Sequence, residues 1–131
     1  MAEWKKWNIP IQEYQFLIFQ LINKLPKDKY HYVYGIPRGG TIIAVYMSYQ
    51  IDLGLIQNGL KGLKPSRVLV VDDIADTGKT LSQYSPLYDT ATLLVKPWSS
   101  IKPTYYIQKT EDWPVFPYER DDETPNRENP N

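Results

Sequence analysis

The stretch Val68–Thr80, VLVVDDIADTGKT, constrains this chain more than any other. It begins with four consecutive apolar residues, Val68-Leu69-Val70-Val71, three of them β-branched. A run of that kind suits a strand covered on both faces, as in a parallel sheet. It ends on two adjacent carboxylates, Asp72 and Asp73, and Asp76 follows. Asp72–Gly78 is expected as a loop. Thr77-Gly78-Lys79-Thr80 opens a short helix from about Lys79 that must end near Pro86.

The flanking sequence supplies partners for that strand. Apolar residues at Ile11, Tyr14, Leu17, Ile18, Leu21, Ile22 and Leu25 form a helical stripe, with Asn8 as its cap and Pro26 as its stop. Tyr30–Ile36 reads as a strand, Pro37-Arg38-Gly39-Gly40 as a tight loop, and Thr41–Leu53 as a second helix. Gly54–Pro65 reads as irregular, and Ala91–Val95 and Thr104–Gln108 as further strands. Strands alternating with helices predict an α/β fold, a mostly parallel β-sheet flanked by helices in three layers. Ligands of such sheets bind beyond the carboxyl ends of the strands. Gly35–Gly40 and Asp72–Thr80 stand at that edge.

Composition narrows the chemistry. With 131 residues the chain is expected to form one domain. Cys is absent and His31 is the single histidine, which excludes disulfides, a Cys nucleophile and zinc sites built on thiolates or several histidines. Fifteen basic side chains balance fifteen acidic ones, so no basic field argues for nucleic acid. Residues 1–65 carry eight basic and four acidic side chains, and residues 66–131 seven and eleven. No apolar run is long enough to span a membrane, and the first ten residues lack a signal-peptide core, so a cytoplasmic protein is expected.

The residue types in 72–80 point to a sugar phosphate. Carboxylates accept hydrogen bonds from vicinal hydroxyls and favour Mg²⁺ nearby. A glycine-containing turn of backbone amides and Thr hydroxyls suits a phosphate monoester. A Walker A loop would need Gly five positions before Gly78, where Asp73 stands instead, so an NTPase is rejected. A plainer alternative for the segment is an Asp-rich surface turn. For Arg38 it is an exposed charge beside a turn, for Lys96 a surface lysine at a strand end, and for Trp113 core packing.

The segment resembles the phosphoribosyl pyrophosphate signature of type I phosphoribosyltransferases. Four apolar residues precede two acids, two variable positions, an Asp and Thr-Gly-x-Thr; Asp72, Asp73, Asp76, Thr77, Gly78 and Thr80 all match. Tyr34–Gly40 resembles the family's pyrophosphate loop. Val95-Lys96-Pro97 and the late segment Trp113–Glu119 are similar to those of the xanthine–guanine/hypoxanthine (6-oxopurine) branch. The resemblance implies a Rossmann-like phosphoribosyltransferase domain over 1–118, with a small C-terminal base-binding hood at about 96–118 and a polar tail at 119–131.

It also implies roles. The 5-phosphoribosyl group would pass from phosphoribosyl pyrophosphate to guanine, xanthine or hypoxanthine, with Mg²⁺ as cofactor. Asp76 would act as general base, and Asp72 and Asp73 would bind the ribose hydroxyls directly or through Mg²⁺. Ala75, Thr77, Gly78, Lys79 and Thr80 would hold the 5-phosphate. Arg38, Gly39 and Gly40 would bind pyrophosphate, with a cis peptide just before Arg38. Lys96, Trp113 and Val115 would bind the base, and Glu119 or Tyr118 would tune its 2-position. Family enzymes are commonly dimers or tetramers, serve purine salvage and contact neither membrane nor nucleic acid. One departure stands out: only Asp52–Ser66 is available for the family's lid, so it is very short or missing. That departure favours a second reading, a non-catalytic phosphoribosyl pyrophosphate- or nucleotide-binding regulatory protein.

Overall fold

The computed structural model describes residues 5–121. Strands β1 (Lys6–Asn8), β2 (Tyr32–Gly35), β3 (Gly54–Ile56), β4 (Val68–Ala75), β5 (Asp89–Val95), β6 (Tyr105–Lys109) and β7 (Trp113–Val115) accompany helices α1 (Ile11–Lys24) and α2 (Gly39–Gln50). Five strands form a parallel sheet in the order β3-β2-β4-β5-β6. The strand order reverses direction between β2 and β4, and ligands of doubly wound sheets sit at such a point. A separate parallel pair joins β1 to β7.

The apolar runs explain the layers. Leu69, Val71, Ala91 and Leu93 turn to the face covered by both helices, where they meet Tyr14, Leu17, Ile18 and Leu21 of α1 and Ile43, Ala44 and Met47 of α2. Val68, Val70 and Val95 turn to the opposite face. Among the described residues no long helix covers that face. Leu60, Leu63, Tyr84 and Tyr88 do, from the segments after β3 and β4. The short helix expected after Lys79 is a single 3-10 turn, Leu81–Gln83. Residues 52–66, the stretch available for a lid, are therefore folded against the sheet, and they begin with the edge strand β3 in place of irregular chain.

Several boundaries differ from expectation for physical reasons. Asn8 does not cap α1; it pairs with Val115 in the β1–β7 ladder, and Pro10 is the N-cap residue. Phe16 and Phe19, off the apolar stripe of α1, face outward at 60% and 41% exposure. The largest difference is in β4. Its pairing with β2 ends at Gly35↔Val71, but its pairing with β5 continues through Asp72↔Thr92 to Ala75↔Val95. Asp72 and Asp73 therefore lie within a strand and not in a loop. Among the described residues no helix is long and apolar enough to cross a membrane. Beyond Asp121 the polar tail lies outside the described residues.

The step where β2 stops and β4 continues is filled by the start of α2. Gly40 N–H donates to the Ile36 carbonyl at 2.9 Å. A Cβ on Gly40 would run into the Val71 carbonyl and approach the Cα of Asp72. Gly40 thus packs against β4 with its amide already used. Gly40→Ala should lower stability by about 1–3 kcal/mol, the usual cost of overpacking against backbone. The urea midpoint should fall while the slope stays unchanged.

Candidate active site

A cavity of about 660 Å³ opens at the carboxyl ends of β2, β4 and β5. Arg38 and Gly39 line it from the turn after β2, and Asp72 to Leu81 from the end of β4 and the turn beyond. Lys96 lines it from the end of β5, and Trp113, Phe116 and Tyr118 from the last segment. No residue between 52 and 66 reaches it. Of the residues singled out by sequence, Gly40 and Val115 are not among its lining. Val115 is buried, and its carbonyl accepts the Ile9 amide at 3.0 Å. That carbonyl therefore faces β1.

The overhang of β4 sets the carboxylates. With no β2 partner beyond Val71, the amides of Asp73 and Ile74 turn to side chains: Asp73 N donates to Asp72 Oδ1 at 2.9 Å, and Ile74 N to Asp73 Oδ1 at 2.8 Å. The remaining Asp73 oxygen, Oδ2, accepts the Tyr118 hydroxyl at 2.5 Å. Burial, and then the adjacent Asp73 charge, raise the proton affinity of Asp72 well above the ordinary carboxylate value. Burial and the same Asp73 charge hold the Tyr118 phenol protonated, as a donor. Sequence reading set Tyr118 or Glu119 near the base's 2-position. Here Tyr118 binds Asp73, and Glu119 Oε1 closes a turn by accepting the Phe116 amide at 3.0 Å.

The turn after β4 leaves backbone amides open. Gly78 has φ +91°, a conformation that side chains resist, and a Cβ there would meet Ser100 Oγ at 2.6 Å and Ile101 N at 2.7 Å. The Lys79 amide is used by Thr77 Oγ1 at 3.2 Å. The amides of Thr77, Gly78 and Thr80 donate to no acceptor among the described residues. Only one 3-10 turn follows, so the attraction comes from these open amides and not from the helix dipole that the sequence suggested. Ala75 is buried, and its carbonyl accepts the Lys96 amide at 2.9 Å.

The other walls carry cations and rings. Arg38 is exposed at the cavity's edge, follows a cis Pro37–Arg38 peptide and makes no ion pair among the described residues. A Cβ on Gly39 would strike the Asp73 carboxylate and the Tyr118 hydroxyl. Lys96 is 4% exposed. Its ammonium donates to the carbonyls of Glu111 (3.3 Å) and Asp112. It also lies 5.9 Å from the Trp113 ring centroid. Burial lowers its proton affinity, against the pull of Asp76, Asp112 and Glu111.

Two outcomes follow. Gly39→Ala should lower the urea midpoint, because the Asp73 carboxylate and the anchored Tyr118 hydroxyl must both give way. For Asp72, a raised folded-state value means that the folded chain binds more protons than the unfolded chain above pH 3.8, up to that raised value. Ligand-free stability therefore falls as pH rises through that window. Asp72→Asn should flatten this fall and raise the thermal midpoint at pH 7 by a few degrees, while weakening ligand binding about tenfold or more.

No protein-family model and no curated protein matches the sequence. Solved structures do. A purine phosphoribosyltransferase from Pyrococcus horikoshii Ot3 is 34% identical with a TM-score of 0.74, covering 88% of this chain and 95% of that one. The Helicobacter pylori xanthine-guanine-hypoxanthine phosphoribosyltransferase is 18% identical with a TM-score of 0.68 over the same shares. A Neisseria gonorrhoeae hypothetical protein with bound ppGpp is 18% identical with a TM-score of 0.70, covering 93% of each chain. The last two speak to the fold alone. The first is close enough over nearly its whole length to decide the family: this chain belongs to the type I purine phosphoribosyltransferases, a family of transferase enzymes.

Proposed function

We propose that the chain transfers the 5-phosphoribosyl group of phosphoribosyl pyrophosphate to a 6-oxopurine (guanine, xanthine or hypoxanthine), with release of pyrophosphate. One observation carries this reading. Asp72, Asp73 and Asp76 line the same cavity as the open amides of Thr77, Gly78 and Thr80. A single ligand thus meets hydroxyl acceptors on one side and anion donors on the other. In this reading residues 75–80, with the Thr77 and Thr80 hydroxyls and Lys79, take the 5-phosphate. Asp72 and Asp73 take the ribose hydroxyls, and Arg38 with Gly39 takes the pyrophosphate.

The chemistry follows from that placement. The bond from ribose C1 to the pyrophosphate oxygen breaks as a ring nitrogen of the base bonds to C1. Positive charge grows on the ribose ring beside Asp72 and Asp73, and negative charge on the leaving group beside Arg38. Asp76 accepts the proton that the imidazole ring of the base gives up. The carboxylate pair also fits Mg²⁺. Among the described residues no three acidic or histidine side chains converge into a metal cage. Mg²⁺ ordinarily uses one or two carboxylates, its own waters and substrate phosphates. Asp72 and Asp73 would hold it, and the ion would neutralise pyrophosphate charge.

Lys96 supports the preference for an oxygen at C6. Two of its three N–H groups are spent on the Glu111 and Asp112 carbonyls. The third is left for a base carbonyl, and an ammonium has no acceptor to offer a 6-amino group. Trp113 adds a ring face for stacking.

The test is a nucleobase panel with phosphoribosyl pyrophosphate and Mg²⁺, read as pyrophosphate release. At least one 6-oxopurine should turn over, and adenine should be about 100-fold slower or worse. Asp76→Ala should lower kcat by about 10²–10⁴ while nucleoside monophosphate binding stays nearly intact. The absence of cavity-lining residues from 52–66 favours the non-catalytic binding reading, and tight nucleotide binding without turnover of any base would establish it.

A further inference from the structure

The loop after β5, residues 96–101, makes contacts through Trp98 and Ser100 that the proposed function does not use. Trp98 is 55% exposed and does not line the cavity. Yet its indole N–H donates to Asp76 Oδ1 at 2.9 Å. The Lys96 ammonium lies over the same ring, 5.1 Å from its centroid. Ser100 donates twice to the Thr77 carbonyl, from its amide at 2.8 Å and its hydroxyl at 2.9 Å. Ile101 packs against Gly78 so closely that a Cβ there would meet its amide. The loop thus grips the end of β4 residue by residue: Lys96 on Ala75, Trp98 on Asp76, Ser100 on Thr77 and Ile101 on Gly78.

Within that grip Trp98 is the member that meets the reacting groups. An aspartate at a strand end turns freely about its last side-chain bond. One N–H fixed to one oxygen removes that freedom and leaves the second oxygen for the ligand. Indole suits the task because it only donates: it cannot take the proton in place of Asp76. The ring face meanwhile attracts the Lys96 cation.

We infer that Trp98 is a positioning residue for phosphoribosyl transfer: its N–H orients the Asp76 carboxylate, and its ring holds the Lys96 ammonium, so one side chain sets the spacing between proton acceptor and C6 reader. This rests on the function proposed above.

Steady-state kinetics on the full chain test it, with phosphoribosyl pyrophosphate, Mg²⁺ and the 6-oxopurine that turns over. Trp98→Phe keeps a ring for Lys96 and loses the donor. Its kcat should fall about tenfold while both KM values stay within about twofold. Trp98→Ala loses the ring too, and should add a rise of about fivefold in the KM of the base. In an Asp76→Ala chain, Trp98→Phe should change the residual kcat by less than about twofold, because its effect passes through Asp76. A Trp98→Phe enzyme with wild-type kcat overturns the inference. So does an equal loss with and without Asp76. If the wild-type chain turns over no base, the proposed function fails and takes this inference with it. Wild-type turnover with an indifferent Trp98→Phe removes the inference alone.

Discussion

Strand β4 is paired on both sides as far as Val71 and on one side only from Asp72 to Ala75. That overhang governs the site. It brings Asp72 and Asp73 into the sheet's scaffold beside β5, while beyond the last β2 partner the amides of Asp73 and Ile74 bind the carboxylates of Asp72 and Asp73. The same gap admits the start of α2, because Gly40 lets a helix approach within backbone contact of Val71. The turn at Arg38 and Gly39 and the acid pair are neighbours because one strand is four residues longer than the next.

That arrangement has an electrostatic cost. Adjacent carboxylates at a partly buried edge oppose each other, and burial compounds this for Asp72. Amide donors and the Tyr118 hydroxyl offset part of the charge on the pair. A ligand bringing hydroxyls and a cation would offset more.

What the sequence disclosed follows from how local each signal is. The apolar run 68–71, the acids after it and the Thr-Gly-x-Thr turn are contiguous, so strand, edge and anion turn were all legible. The continuation of β4 through Asp72–Ala75 was not, because aspartate is a poor strand former and the ladder to β5 overrides that preference. The β1–β7 pair joins three-residue strands more than a hundred residues apart, one containing Pro114, and no window of sequence reports that. The backbone groups of Val115 and Gly40 are used by partners that only the fold supplies. Tyr118 and Trp98 stood beside recognisable motifs, but which carboxylate each would bind is a tertiary fact.

The β1–β7 pair also explains how a site without a lid from 52–66 keeps its shape. The segment 113–118 is clamped at one end by Lys6, Trp7 and Asn8 in a parallel ladder. At the other end Phe116 and Tyr118 stack 5.6 Å apart, and both meet the buried ring of Tyr14 on α1, at 6.0 and 5.7 Å. The Lys6–Asp121 ion pair at 2.8 Å draws the following residues onto the same strand. Tyr118, which holds Asp73, is therefore anchored to the helical core through aromatic packing and not to a loop free to swing. Catalysis in such a site must come from groups held in place before the ligand arrives, because the covering and ordering that a closing lid supplies elsewhere are not available from this segment. The hydrogen bonds from Tyr118 to Asp73 and from Trp98 to Asp76 are that order in place already.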